Sequence, residues 1–208
     1  MATSEKPQRR RRLDGEASRT RILDAATEIA SERGYEGTSI ALVSTKCGLP
    51  ASSIYWHFKD KDDLIAAVIE RSFAHVLSAW QMPDDGAVRE RLVTMVLQIG
   101  KALLDRPDFL RLGLMLALER RPIEPRARAM FIDVRAQMYF TLCTTARGLF
   151  PELTDAHIHQ LATYAIAGAD GLFIAKEIGG DSVDILALFE MHAIALYDSA
   201  MHMVAEST

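Results

Sequence analysis

The sequence predicts an all-α protein of about nine helices. Apolar residues recur at spacings of three and four along almost every periodic stretch. No segment sustains the apolar/polar alternation of a strand, and no Asn-Gly hairpin signal occurs. Interruptions rich in Pro and Gly fall where helices joined by turns would need them. With 208 residues, 49% hydrophobic and 25% charged, the chain can bury a real core and is too apolar to remain disordered.

Residues before about Ala17 are Arg-rich, contain Pro7 and lack periodicity, which predicts a mobile arm over 1–17. Ser18 is the expected N-cap of the first helix, whose stripe is Ile22, Ala25, Ala26, Ile29 and Ala30, with Gly34 as its C-cap. Thr38 is expected to cap a short helix running to about Cys47, with Ile40 and Val43 on its apolar side. Gly48-Leu49-Pro50 interrupts, and a second short helix covers about 51–58. Asp60 then caps a long helix, with Asp62 and Asp63 in the first turn, where the macrodipole favours carboxylates. Its stripe is Leu64, Val68, Phe73, Val76, Leu77 and Trp80, before Pro83-Asp84-Asp85-Gly86.

Val88, Leu92, Val96, Ile99 and Leu103 mark a helix ended by Asp105-Arg106-Pro107. A shorter apolar helix over 109–119 is closed by Pro122 and Pro125. Met130, Val134, Met138, Leu142 and Leu149 line a long one ending at Phe150-Pro151. The last two cover 155–178, terminated by Gly179-Gly180, and 182 to about 204. The expected organisation is an arm (1–17), a head (18–63) and a body (64–208).

Several classes are excluded at this level. No run approaches the roughly 18–20 apolar residues that cross a bilayer. No apolar segment follows the basic N-terminus, so no secretory signal is expected. Cys47 and Cys143 are too few for a disulfide framework or a thiolate zinc site. A soluble protein of the cytoplasm is therefore expected. The net charge of −4 is unevenly spread. Residues 1–61 hold 11 Lys/Arg against 8 Asp/Glu, leaving 13 against 20 in the remainder. A mildly basic N-terminal third on an acidic body is compatible with duplex binding, because the local field of the contacting face matters more than total charge.

Two short helices joined by a tight turn at Gly48, behind a longer helix, make a helix-turn-helix pattern. In that geometry one helix crosses a duplex and the next enters the major groove, about 12 Å wide. The groove-facing helix must be short and begin with small polar residues. Residues 51–57, Ala-Ser-Ser-Ile-Tyr-Trp-His, meet that need. Ile54 and Phe58 are the inward anchors, and Ser52, Ser53, Tyr55 and His57 face outward. Lys61 adds positive charge where helical N–H groups already favour a phosphate.

Thr38-Ser39-Ile40, Gly48-Leu49-Pro50 and the run from Ser53 through Tyr55-Trp56-His57-Phe58-Lys59-Asp60-Lys61 to Leu64 closely resemble the DNA-binding domain of the tetracycline-repressor (TetR) family. The motif resemblance covers about 20–69; beyond it only helix number and length are similar. It implies a homodimeric one-component transcription factor, usually a repressor, released from DNA by a small ligand in the C-terminal domain. It also implies phosphate contacts at Tyr55, His57 and Lys61, a backbone contact at Thr38 or Ser39, and Ser52 and Ser53 nearest the bases. Ala51 and Trp56 join the DNA-binding set by position, although Trp56 is itself read as a structural wedge against neighbouring helices. Pro50 stands where a capping Ser or Thr is common. Ala41 and Ala51 stand where several relatives carry longer base-reading side chains, so shape readout or bridging waters are expected to contribute. The expected operator is near-palindromic, with recognition helices in grooves about 34–36 Å apart.

Other readings stay open beside these. Tyr55 also suits a half-buried core aromatic, and His57 a surface histidine packed on the next helix. Arg9 to Arg12 suit either a minor-groove arm or a solvated tail. Cys47 reads as a small buried hydrophobe.

In the body, Met82, Met95, Met115, Met130 and Met138, with Trp80, Phe109, Tyr139 and Phe140, suit an apolar pocket, although each Met alone reads first as core filler. Gln98, Arg111, Glu119 and Asp170 are candidate polar groups for orienting a small, largely apolar effector, against the reading that helix charges are solvated. The effector is expected to shift the helix starting at Lys61, read as both link and pocket wall. Ala165, Gly168 and Leu172, with Phe189, Ala193, Leu196 and Tyr197 of the last helix, predict a two-fold, four-helix interface with a second copy. Burial inside one protomer is the competing explanation. His157 and His159 are two apart on a helix and point to different faces, so no metal is expected. No cofactor is expected, and with no His-Glu-X-X-His, phosphate loop or nucleophile elbow, neither is an enzyme. The alternative function is an all-α small-molecule-binding or scaffold protein without DNA binding.

Overall fold

The computed structural model describes residues 5–119 and 125–206, with side chains from residue 14 onward. In chain order the helices are α1 (Glu5–Gly37), α2 (Ile40–Cys47), α3 (Ala51–His57), α4 (Lys61–Ser78), α5 (Val88–Asp105), α6 (Asp108–Leu118), α7 (Arg126–Leu149), α8 (Asp155–Gly179) and α9 (Ile185–Glu206). Among the described residues there is no strand. No helix among them is long and apolar enough to cross a membrane.

The expected glycine stops at Gly34 and Gly48 are present. Gly34 leaves the helical region at φ 67°, so α1 breaks there before a last turn through Gly37. Gly48 sits at φ 65°, the left-handed conformation that ends α2. Thr154 caps α8 by accepting from the His157 N–H at 3.2 Å.

Four expectations need correction. The backbone of residues 5–17 is helical rather than an aperiodic arm. Lys, Arg, Gln, Leu, Ala and Glu all favour helix, and Pro7 lies in the first turn, where a missing N–H costs little. The side chains of Arg9 to Arg12 lie outside the described residues, as does Pro122. Ser18 is consequently inside α1 and donates to the Asp14 carbonyl instead of capping. Ser39, not Thr38, caps α2 by accepting from the Leu42 N–H at 3.3 Å. α9 starts at Ile185 rather than 182, because Gly180–Ser182 form a 3-10 turn and the Asp184 carboxylate accepts from the Ala187 N–H.

The chain divides into two compact units. One holds the residues through Ser72 together with Arg111–Phe131; the other holds Phe73–Leu110 and Ile132 onward. The division falls inside α4, α6 and α7, not at the expected 63/64 boundary. A helix keeps its period when it changes packing partners, so periodicity does not mark such a border.

In the first unit Ile22, Ala26, Val43, Ile54, Leu64 and Val68 are fully buried. Arg21 donates to the Cys47 carbonyl at 2.6 Å, fastening the end of α2 to α1. Gly113 of α6 lies so close to Phe131 of α7 that an added Cβ would stand 2.0 Å from the ring. In the second unit Phe189 of α9 rests on Gly100 of α5, and the His192 ring rests on Gly168 of α8. The core around Leu92, Met95, Cys143, Phe150, Leu161 and Leu196 fills the space between α5, α7, α8 and α9.

These contacts set two expectations. Gly113→Ala should cost about 1–3 kcal/mol by overpacking. Gly148→Ala, whose Cβ meets nothing within 4 Å, should be neutral or stabilising. Urea unfolding of both variants checks the contrast. Burial pushes the His192 imidazole below its ordinary value, partly offset by its bond to the Ala165 carbonyl at 3.1 Å. As pH falls the unfolded chain takes up that proton first, so stability is lost from the ordinary histidine range down to the depressed value. Between pH 7 and pH 5, roughly spanning that range, the melting temperature of the wild type should fall further than that of His192→Gln.

Candidate nucleic-acid interface and effector cavity

α3 has 7 residues and no side-chain N-cap at Pro50. It is held by its inward residues: Ile54 and Phe58, one turn apart, are buried. Positions rotated to the other side are therefore wet, with Tyr55 56% and Trp56 77% exposed and Ser52 exposed beside them. Ala51, Ser53 and His57 are half-buried on the flanks. The expected DNA-facing set on α3 thus lies together and open.

Trp56 is a correction in role. It is no wedge: its indole projects into solvent and meets His57 edge-on, with ring centroids 4.6 Å apart. Position 56 lies about 200° around the helix from Ile54, so periodicity places it outward whatever its size. Asp14, Gly15 and Ser18 of α1 form a groove with Ser52, Ser53, Trp56 and His57. Burial, reinforced by the nearby Arg19 guanidinium, holds the His57 imidazole below its ordinary value. His57 therefore presents a neutral ring at pH 7. Arg19 itself lies 5.4 Å over the Phe58 ring.

Two expected contacts are otherwise engaged. Thr38 is buried, and its hydroxyl donates to the Gly34 carbonyl at 2.8 Å, which removes it from the expected DNA-facing set, whereas Ser39 is exposed. The Lys61 ammonium donates to the Tyr35 carbonyl at 3.2 Å, lies 4.3 Å over the Tyr35 ring and stands 3.6 Å from Glu36. Its charge is already partly answered inside the head.

Side-chain bonds hold the surrounding turns; the cap at Asp60 was expected, the role of Ser44 was not. Ser44 donates to the Leu49 carbonyl at 2.7 Å, closing the turn between α2 and α3. Asp60 accepts from the Asp63 N–H at 2.8 Å while Asp63 accepts from the Lys59 N–H at 3.0 Å, a reciprocal cap at the start of α4. Asp62 accepts from the Tyr35 hydroxyl at 3.0 Å and from the Arg126 and Ala127 N–H groups. Acid residues in a helix's first turn were legible; their distant partners were not.

The second unit has an apolar cavity of about 50 Å³, lined by residues that include Leu92, Met95, Leu142, Ala146, Leu161 and Leu196. Of the expected ligand-binding residues, Met95 lines it. Trp80 and Tyr139 pack on the surrounding core, and the Tyr139 hydroxyl is 2.7 Å from His159 Nδ1. Met138 is half-buried. The buried side-chain carbonyl of Gln98 has no hydrogen-bond partner among the described residues. Phe109 is core, 5.3 Å from Phe73. Asp170 is neutralised by Arg135 at 2.7 Å. Arg111, Met115 and Glu119 belong to the other unit, so the set does not surround this cavity. No residue of α4 lines it, which corrects its expected role as the wall.

The expected dimer face is corrected as well. Phe189, Ala193 and Leu196 are buried within the protomer, Ala165 lines the cavity, and Gly168 makes room for His192. Leu172 and Tyr197 are half-buried. The exposed stripe on α8 is instead Tyr164, Ala167, Gly171, Ile174 and Ile178, with Met191 exposed on α9.

Residues 22–68 match the family model of bacterial regulatory proteins, tetR family. The HTH-type transcriptional regulator AcrR of Shigella flexneri is 34% identical over 68 residues, 33% of this chain and 32% of its own. The HTH-type transcriptional repressor Rv1353c of Mycobacterium tuberculosis is 31% identical over 99 residues, 48% of this chain and 38% of its own. The alignments thus span only about a third of the length of these curated relatives. The fold is similar over much more: a tetR-family transcriptional regulator from Streptomyces coelicolor superposes with a TM-score of 0.71 over 92% of this chain and 88% of its own, at 15% identity. Residues 22–68 thus carry the segment that the tetR-family model describes, and the fold along nearly the whole length is similar to that of a tetR-family regulator.

Proposed function

We propose that the protein is a DNA-binding transcriptional regulator, working as a repressor, that grips an operator through α3. The observation that carries this reading is the open outer side of α3, with Ser52, Tyr55 and Trp56 in solvent and Ile54 and Phe58 anchoring its back. Ser52 and Ser53 are the residues nearest the bases, Tyr55 and His57 the backbone contacts, and Ser39 the contact from α2. His57 serves as a neutral hydrogen-bond donor rather than a cation, and Lys61 as a contact whose charge is shared with Glu36.

The working form is a homodimer. Tyr164, Ala167, Gly171, Ile174 and Ile178 repeat at three and four, a stripe suited to a left-handed helix pair. The effector is a small, neutral, apolar molecule. The cavity's walls are almost wholly apolar, and about 50 Å³ is far below the roughly 300–1,000 Å³ of sites for drug-sized ligands. An occupant therefore parts α5, α7, α8 and α9. By linkage, operator binding weakens effector binding by the same factor. The relatives named above are regulators, and the place of action is the cytoplasm.

A gel-shift titration with DNA from upstream of the protein's own gene should show a retarded complex. Tyr55→Ala should weaken it by roughly fivefold, the value of one hydrogen bond, at every sequence tested, since backbone contacts carry no sequence information. Undiminished affinity removes Tyr55 from the interface. Gly171→Arg places its side chain where nothing within 4 Å obstructs it inside the protomer. Sedimentation should therefore show a folded monomer; an intact dimer would place the interface elsewhere.

A further inference from the structure

The first two N–H groups of a helix have no intrahelical acceptor. At the start of α7 they belong to Arg126 and Ala127, and both donate to one carboxylate, Asp62, from a helix that begins 65 residues earlier at Lys61. Asp62 Oδ1 also accepts from the Tyr35 hydroxyl at 3.0 Å, so the last turn of α1 joins the same node. Beside it the Arg126 guanidinium pairs with Asp63 at 2.7 Å, and Asp63 closes the cap that starts α4. Three chain segments thus converge immediately after Phe58, the buried anchor that ends α3.

We infer that Asp62 is a positioning residue for duplex binding: it makes the first turn of α7 part of the reading head and fixes the downstream end of α3. The inference rests on the DNA-binding assignment above. The segment from Phe58 to Asp63 is short, and its far end is held by Asp62's bonds to α1 and α7. Without them the start of α4 keeps the Lys61 contact to Tyr35 and the Arg126–Asp63 pair but loses its direct tie to the first turn of α7, and the aim of α3 loosens although its own anchors remain.

The sign of the effect separates this role from simple electrostatics. Asp62→Asn deletes a negative charge from a DNA-binding unit, which on charge alone tightens binding. Positioning predicts the opposite. Asp62→Asn should bind the upstream fragment roughly tenfold more weakly, and Tyr35→Phe, which changes no charge, about threefold more weakly. The salt dependence should keep its wild-type slope between about 50 and 200 mM, because no phosphate contact is lost. Hydrogen exchange at the Arg126 and Ala127 amides should quicken in Asp62→Asn. Equal or tighter binding, a changed salt slope, or unchanged exchange overturns the inference. If Asp62→Asn does not fold, Tyr35→Phe decides, and wild-type affinity there overturns it. A wild-type chain that binds no duplex removes the regulator reading as well, whereas normal binding by the variants removes only the role of Asp62.

Discussion

A helix of two turns is not stable alone in water, and α3 lacks even a side-chain cap. It exists because Ile54 and Phe58 are buried, each gaining about 1.5–3 kcal/mol relative to exposure. The same two contacts set its rotation. Anchors one turn apart leave a single arc in solvent, and that arc carries Ser52, Tyr55 and Trp56. Stability and aim are therefore one property here. The neighbouring bonds, Arg21 on Cys47 and Ser44 on Leu49, extend it by fixing the turn from which α3 departs.

The electrostatics of the head follow from how its charges are spent. The N-terminal third is only mildly basic, and several cations serve the fold. Lys61 lies against Tyr35 and Glu36, Lys46 pairs with Glu28, and Arg19 lies over Phe58 and helps keep His57 neutral. The exposed arc of α3 is accordingly neutral, made of hydroxyls and aromatic rings. In the proposed complex such a surface meets a duplex through hydrogen bonds and fit more than through attraction. The short side chains at Ala41 and Ala51 agree with that balance.

In the second unit, small residues show how one local signal serves different ends. Gly100 and Gly168 are both occupied by rings of α9, Phe189 and His192, so they allow close packing within a protomer. Gly171, three residues further along α8, faces open space. The apolar residues of α9 split likewise: Phe189 and Ala193 turn inward while Met191 remains exposed. Spacing tells that a helix will be approached closely. It does not tell by what.

What the sequence by itself determined is local. Helical periods, the glycine turns at Gly34 and Gly48, the cap at Asp60 and the inward pair Ile54 and Phe58 each depend on residues within a turn or two of one another. The motif around α3 is equally contiguous, which is why its bounds and its inward pair were legible, although the outward position of Trp56 was misread as a wedge. Tertiary structure decided everything that needs a distant partner: that Thr38 turns to Gly34, that Asp170 is neutralised by Arg135, that Asp62 caps a helix far along the chain, and that Met95 meets a cavity while Arg111 belongs to another unit. Side-chain type and spacing fix which face of a helix is apolar. Only the path of the whole chain fixes what that face meets.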